Sequence, residues 1–166
     1  MANKQNFAPE EWAKIRESVM LASLAVTAAD PSGLIGTIKE AFAGGSALMA
    51  AKSDEGAGEL MKALVADFES SEVQKQLRED LRQRFRGVKP ADITSRSIEA
   101  VAEVGRLLDA KARDEATEFK TWLYGISKKV AEASKEGGFL GFGGVEVSDA
   151  EKATLDQVGK ALNLPV

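Results

Sequence analysis

Histidine and cysteine are both absent from this chain of 166 residues. Their absence excludes metal sites with Cys or His ligands, disulfide bonds, Cys nucleophiles and Ser-His-Asp triads. It also removes imidazole, the usual general base near neutral pH. We therefore expect no catalytic residue, metal ligand or cofactor, and we interpret the chain as a non-enzymatic protein.

Long apolar runs are also missing. The longest uncharged apolar-leaning run near the start, 19–29, has eleven residues, whereas a membrane span needs about 20. The N-terminus does not resemble a secretory signal, so we expect a cytoplasmic protein. A net charge of -4 disfavours nucleic acid as a partner. A hydrophobic fraction of 44% and a charged fraction of 29% are typical of one soluble globular domain, here 1–166.

The apolar pattern is helical throughout. No segment shows the alternation of a β-strand, and good helix formers dominate the composition. The first helix should begin at Pro9, with Phe7 and Trp12 spaced to pack together. Its apolar face comprises Trp12, Ile15, Val19, Ala22 and Val26. The chain therefore predicts an all-α, single-domain bundle of five or six helices.

One long helix, about 93–135, should form the spine of this bundle. Ile98, Phe119 and Ile126 belong to a set of mostly apolar residues that recurs every seven positions. A straight helix of this length would extend about 64 Å, whereas a compact domain of this size has a radius of gyration of about 15 Å. Either the helix bends, with Gly105 and Gly125 as candidate positions, or the protein is elongated or oligomeric.

Two capping motifs mark later helix starts. Ser148 and Glu151 have the spacing of a capping box before the last helix. Ser70 or Ser71 should cap an earlier helix, with Gln74 completing a box with Ser71. That helix should end at Gly87.

The helix that begins at Ser70 or Ser71 also carries a row of basic residues, on a different side from its apolar residues. It comprises Lys75, Arg78, Arg82, Arg86 and Lys89, spaced by three or four residues. Segment 75–96 holds seven basic and three acidic residues, so the rest of the chain carries -8. The row is either a surface for an acidic partner helix, anionic lipid or a phosphate backbone, or a solvated outer face partly neutralised by acidic neighbours. Charged outer faces are the norm in bundles, which favours the second interpretation.

A Gly/Phe-rich loop, 137–144, precedes the last helix. It matches neither a P-loop nor a dinucleotide-binding turn. Phe139, Leu140 and Phe142 could insert into a partner groove or a membrane interface. Alternatively, they fold back and close the end of the bundle, which the rarity of exposed apolar clusters favours.

Carboxylates are dense in the spine. Glu99 and Glu103 are four residues apart, and Asp114, Glu115 and Glu118 follow. Without histidine, the di-metal pattern of helical bundles is absent, although an all-oxygen Ca²⁺ or Mg²⁺ site remains an alternative. Pairing with basic neighbours, such as Asp109 with Arg113, is the commoner role.

Segment 144–151 (GVEVSDAE), followed by a helix that ends in 161–164 (ALNL), resembles the helix-start pattern of TerB-like domains, and 28–30 (AAD) resembles their first turn. That resemblance implies an all-helical bacterial fold of a family associated with tellurite resistance and stress. The Asp-Gly of the family's turns is replaced here by Asp30-Pro31 and Gly144-Val145. No metal ligand is therefore carried over.

The leading functional hypothesis is an interaction protein. It would present the basic row, together with Phe139 and Phe142, to a protein partner or to another copy of itself. The alternatives are a peripheral membrane protein that uses the same residues on anionic lipid, and a bundle that binds a divalent cation or a small ligand.

Overall fold

The computed structural model describes residues 4–29, 52, 57–133 and 147–165. Within them a short 3-10 turn, Lys4–Asn6, precedes six α-helices. The helices are α1 (Pro9–Thr27), α2 (Glu59–Phe68), α3 (Ser71–Arg84), α4 (Pro90–Lys111), α5 (Arg113–Ala133) and α6 (Asp149–Ala161). These ranges contain no strand, and the predicted all-α bundle is confirmed.

The start of α1 agrees with its predicted signals. Pro9 occupies the first helical turn, and the Glu11 carboxylate accepts a 2.8 Å hydrogen bond from the Ala8 N–H. The rings of Phe7 and Trp12 lie 5.9 Å apart between centroids, so the predicted hydrophobic staple forms. Every residue of the predicted apolar face, from Trp12 to Val26, is buried.

Helix α1 lies at the centre of the bundle and contacts α4, α5 and α6. The side chains in its second half are uncharged and several are small, so neighbouring helices approach its backbone closely. Ser127 on α5 donates a 2.8 Å hydrogen bond to the Ala22 carbonyl, and Thr94 on α4 donates one of 3.2 Å to the Ala25 carbonyl. These bonds fix both helices against α1.

The predicted continuous helix over 93–135 is wrong. The chain leaves helical geometry at Ala112 (φ -139°, ψ 42°), between α4 and α5, rather than at Gly105 or Gly125. A side chain placed at Gly105 would lie 3.6 Å from Lys120 Cδ, so the chain folds back on itself at this turn.

The length of α1 explains this break. Its 19 residues extend about 28 Å, which is less than half the length of an unbroken helix over 93–135. The two apolar stripes of that segment can both be buried against α1 only if the chain reverses between them. Buried Ala112, whose side chain is a single methyl group, allows the tight turn.

Capping explains how α3 and α6 begin. The box between Ser148 and Glu151 forms as predicted before α6. Ser70 caps α3 by accepting a hydrogen bond from the Val73 N–H. The predicted box between Ser71 and Gln74 is wrong, because the Gln74 side chain donates to the Phe68 carbonyl and ends α2 instead.

We expect Ala22→Leu to destabilise the bundle by about 1–3 kcal/mol, because the added carbons would push α5 away from α1. Ala110→Leu, on the exposed side of α4, should change the free energy of unfolding by less than about 0.5 kcal/mol. Urea unfolding followed by circular dichroism measures both. Equal stability of the two variants would contradict the close packing at Ala22.

Candidate functional site

Helix α3 lies at the edge of the described bundle and presents the predicted basic row. Its apolar stripe is Val73, Leu77, Leu81 and Phe85, in which Leu77 is buried and the other three are half-buried. At its C-terminal end, Arg84 forms an ion pair with Glu17 of α1. One side of α3 is thereby attached to the bundle, and the other side faces solvent.

All five predicted basic residues are exposed. We call them the basic surface: Lys75, Arg78, Arg82, Arg86 and Lys89. The first three lie along one flank of α3, within two turns. Arg86 and Lys89 lie in the connection to α4, where Gly87 has a positive φ of 72°. The helical spacing that suggested one continuous face therefore holds for the first three residues alone.

Few carboxylates neutralise the basic surface. Arg82 pairs with Glu79, one turn earlier on the same helix, at 3.0 Å. Lys75, Arg78, Arg86 and Lys89 form no ion pair with any residue in the described ranges. The expected neutralisation by acidic neighbours is thus limited, in the part of the chain that the structure describes, to Glu79.

Two carboxylates of α4, Glu103 and Asp109, form ion pairs. Glu103 accepts a 2.6 Å bond from Lys14, and Asp109 accepts a 2.7 Å bond from Lys120, whose side chain is buried. The expected side-chain pair between Asp109 and Arg113 is wrong, because Arg113 donates to the Asp109 backbone carbonyl. No group of three or more metal-binding side chains occurs among the described residues.

Two of these carboxylates cap α2 from a distant part of the chain. Glu115 accepts a 2.9 Å hydrogen bond from the Leu60 N–H, and Glu118 accepts one of 3.0 Å from the Gly58 N–H. A helix N-terminus has unpaired N–H groups and favours negative charge. Sequence reasoning missed this role. Its one signal was that Glu115 interrupts an apolar seam, seven residues after Leu108 and seven before Trp122.

Asp67, near the other end of α2, joins that helix to the start of the chain. It accepts a 2.7 Å hydrogen bond from Trp12 Nε1 and bonds of 2.9 and 3.0 Å from Lys4 Nζ. Burial alone would raise the pKa of Asp67, but these hydrogen bonds and the charges of Lys4 and Arg16 outweigh it. The pKa is therefore lowered from its ordinary value of 3.8.

The second predicted binding element, Phe139, Leu140 and Phe142 in loop 137–144, lies outside the described residues. The anionic-membrane alternative included this loop. Among the described helices, none is long and apolar enough to cross a bilayer. The basic surface is therefore the candidate site whose geometry can be described.

Replacing Gly58 with alanine should destabilise the protein by about 1–3 kcal/mol. The new methyl group would press against the Glu115 carboxylate, forcing it away from the Leu60 N–H and leaving a buried donor unpaired. Gly125→Ala is the matched control. Among the described residues, no atom outside α5 lies within 4 Å of a side chain at that position, so this variant should gain about 0.5–1 kcal/mol. Thermal unfolding of both variants tests the cap formed by Glu115. If the melting temperatures of both variants shift in the same direction, the cap is refuted.

The lowered pKa of Asp67 predicts a loss of stability in acid. Its carboxylate stabilises the fold fully above the ordinary value of 3.8, and that contribution is lost as the pH falls through the lower folded pKa. Asp67→Asn should therefore be less stable than wild type at pH 6. The difference should shrink below about pH 4. Urea unfolding at both pH values measures it, and a constant difference would contradict the assignment.

Comparison of the chain with protein-family models, curated proteins and solved structures gives no match. The resemblance to TerB-like domains stays a prediction, and of its segments only 28–29, 147–151 and 161–164 lie in the described residues. The interpretation of the basic surface therefore depends on the geometry of this chain alone.

Proposed function

We propose that this protein is a non-enzymatic interaction protein that binds an acidic protein surface through the basic surface of α3. Exposure of Lys75, Arg78, Arg86 and Lys89 without an ion pair to any described residue carries the proposal. Binding would break no described internal pair at these four residues. It would also relieve the mutual repulsion of like charges on one surface.

A solvated outer face is the simpler interpretation of such a helix, and it predicts about equal numbers of cations and carboxylates side by side. On α3 the cations are in excess. Lys75, Arg78 and Arg82 lie within about 60° of arc, and Glu72 and Glu79 border them on one side, where Glu79 pairs with Arg82. With Arg86 and Lys89 the surface keeps a positive charge, which steers an oppositely charged partner.

A protein partner fits this surface better than nucleic acid. The basic surface has no aromatic residue on which bases could stack. A second copy of this acidic chain is one acidic partner, and the cytoplasm is the proposed location.

The test is a titration of a labelled 20-residue polyglutamate peptide. We expect binding that weakens with salt and a loss of at least about 10-fold in affinity when Lys75→Glu and Arg78→Glu are combined. The loss follows from turning two attractive contacts into repulsive ones. Lys128→Glu combined with Lys129→Glu is the matched control, because both lysines are exposed on α5 and form no ion pair with a described residue.

Equal losses in the two double variants would exclude a specific basic surface. Vesicles containing phosphatidylserine and a duplex DNA, titrated in parallel, separate the alternatives. Binding to vesicles but not to polyglutamate would replace the proposal with the membrane alternative. Light scattering at micromolar concentration reports whether the acidic partner is a second copy.

A further inference from the structure

Glu17 is a buried carboxylate within the central helix. Its residue exposure is 8%, and it lies on α1 beside the apolar positions that form the core. One of its oxygens, Oε2, accepts bonds from Arg84 Nε at 3.0 Å and Arg84 Nη2 at 2.5 Å. Arg84 is the last residue of α3. The pair therefore joins the most buried helix to the helix that carries the basic surface.

Apolar contacts and one hydrogen bond complete the attachment of α3. Leu77 is the one residue of α3 that is buried, and near the start of the helix Gln74 donates a hydrogen bond to the Phe68 carbonyl of α2. A buried carboxylate adds a stronger constraint, because its charge is costly unless its partner stays in place. Two arginine nitrogens on one oxygen also restrict where the guanidinium can lie. The ion pair is thus the contact that holds the C-terminal end of α3 in one orientation against α1.

Helical geometry connects the Glu17–Arg84 pair, through the rotation of α3 about its own axis, to the basic surface. Arg84 follows Lys75 by nine positions, which places the two side chains about 180° apart around the helix. Holding Arg84 against α1 therefore holds Lys75 away from the bundle. Within the described residues, the other ion pair of α3, Arg82 with Glu79, is internal to the helix and fixes no orientation.

We propose that Glu17 is the positioning residue of the basic surface. It orients α3 through Arg84, so that Lys75, Arg78 and Arg82 face solvent before a partner arrives. The partner then pays no ordering cost for this helix, which is the advantage of preorganisation. The inference depends on the proposed function, because it assigns Glu17 a role in that binding surface.

The experiment combines amide hydrogen exchange with the polyglutamate titration. In Glu17→Gln we expect exchange in α3 to accelerate by at least about 10-fold, while the amides of α4 and α5 stay unchanged. Polyglutamate affinity should fall about 3–10-fold, as expected when a binding element must be ordered on association. Arg84→Lys, with Glu17 intact, keeps the charge but loses the contact through two nitrogens, so both properties should lie between those of wild type and Glu17→Gln.

Lys14→Gln is the matched control. Lys14 also forms an ion pair from α1, with Glu103, but both side chains of that pair are about half exposed, and exposed pairs contribute little. Its exchange pattern and affinity should equal those of wild type. If Glu17→Gln fails to fold, Glu17→Gln combined with Arg84→Gln removes both charges and leaves none buried alone.

If amide hydrogen exchange in α3 is unchanged in the variant that lacks the Glu17–Arg84 pair, the inference is overturned. Faster exchange with unchanged polyglutamate affinity would also overturn it, since the pair would then have no role in binding. The proposed function fails on a different result. It fails if the Lys75 and Arg78 charge reversals leave polyglutamate binding unchanged, whatever the Glu17 variants do.

Discussion

The second half of α1 is an uncharged helix surface that must be covered on nearly every side, and the arrangement of the bundle follows from this requirement. Helices α4, α5 and α6 surround it. Because α1 is short, the segment that supplies α4 and α5 has to reverse at Ala112. The small side chains of Ala22 and Ala25 bring hydroxyls from α5 and α4 within hydrogen-bond distance of their carbonyls. Burial thus decides which helices meet, and these bonds fix how close they come.

Polar contacts also hold the outer helices, α2 and α3. Glu115 caps the start of α2 from α5, and Asp67 joins the end of α2 to Trp12 and Lys4. Arg84 attaches α3 to Glu17 in the same way. A hydrogen bond to a charged group contributes about 1.5–3 kcal/mol. A few such bonds can therefore orient a helix whose apolar contacts would allow several positions.

Local sequence signals predicted what local interactions control. The proline start of α1, the Ser148 box and the buried face from Trp12 to Val26 depend on residues within one or two helical turns. The break at Ala112 was not predictable from periodicity, because the apolar stripe continues through it. The hydrogen bonds from Leu60 to Glu115 and from Trp12 to Asp67 each join residues more than 50 positions apart. Distant pairing leaves no periodic trace, and Glu115 in an apolar seam was its one visible sign.

The charges in the described structure fall into two groups with different roles. Glu11, Glu17, Asp67, Glu103 and Glu115 all accept hydrogen bonds or ion pairs that join separate elements. Four cations of the basic surface have no such role among the described residues. An acidic chain that uses its carboxylates internally leaves the counter-charge for that surface to solvent ions or to a partner. Mobile ions neutralise a charged surface without needing it to be ordered. A fixed orientation of α3 therefore favours binding only when the counter-charge is part of a structured partner surface.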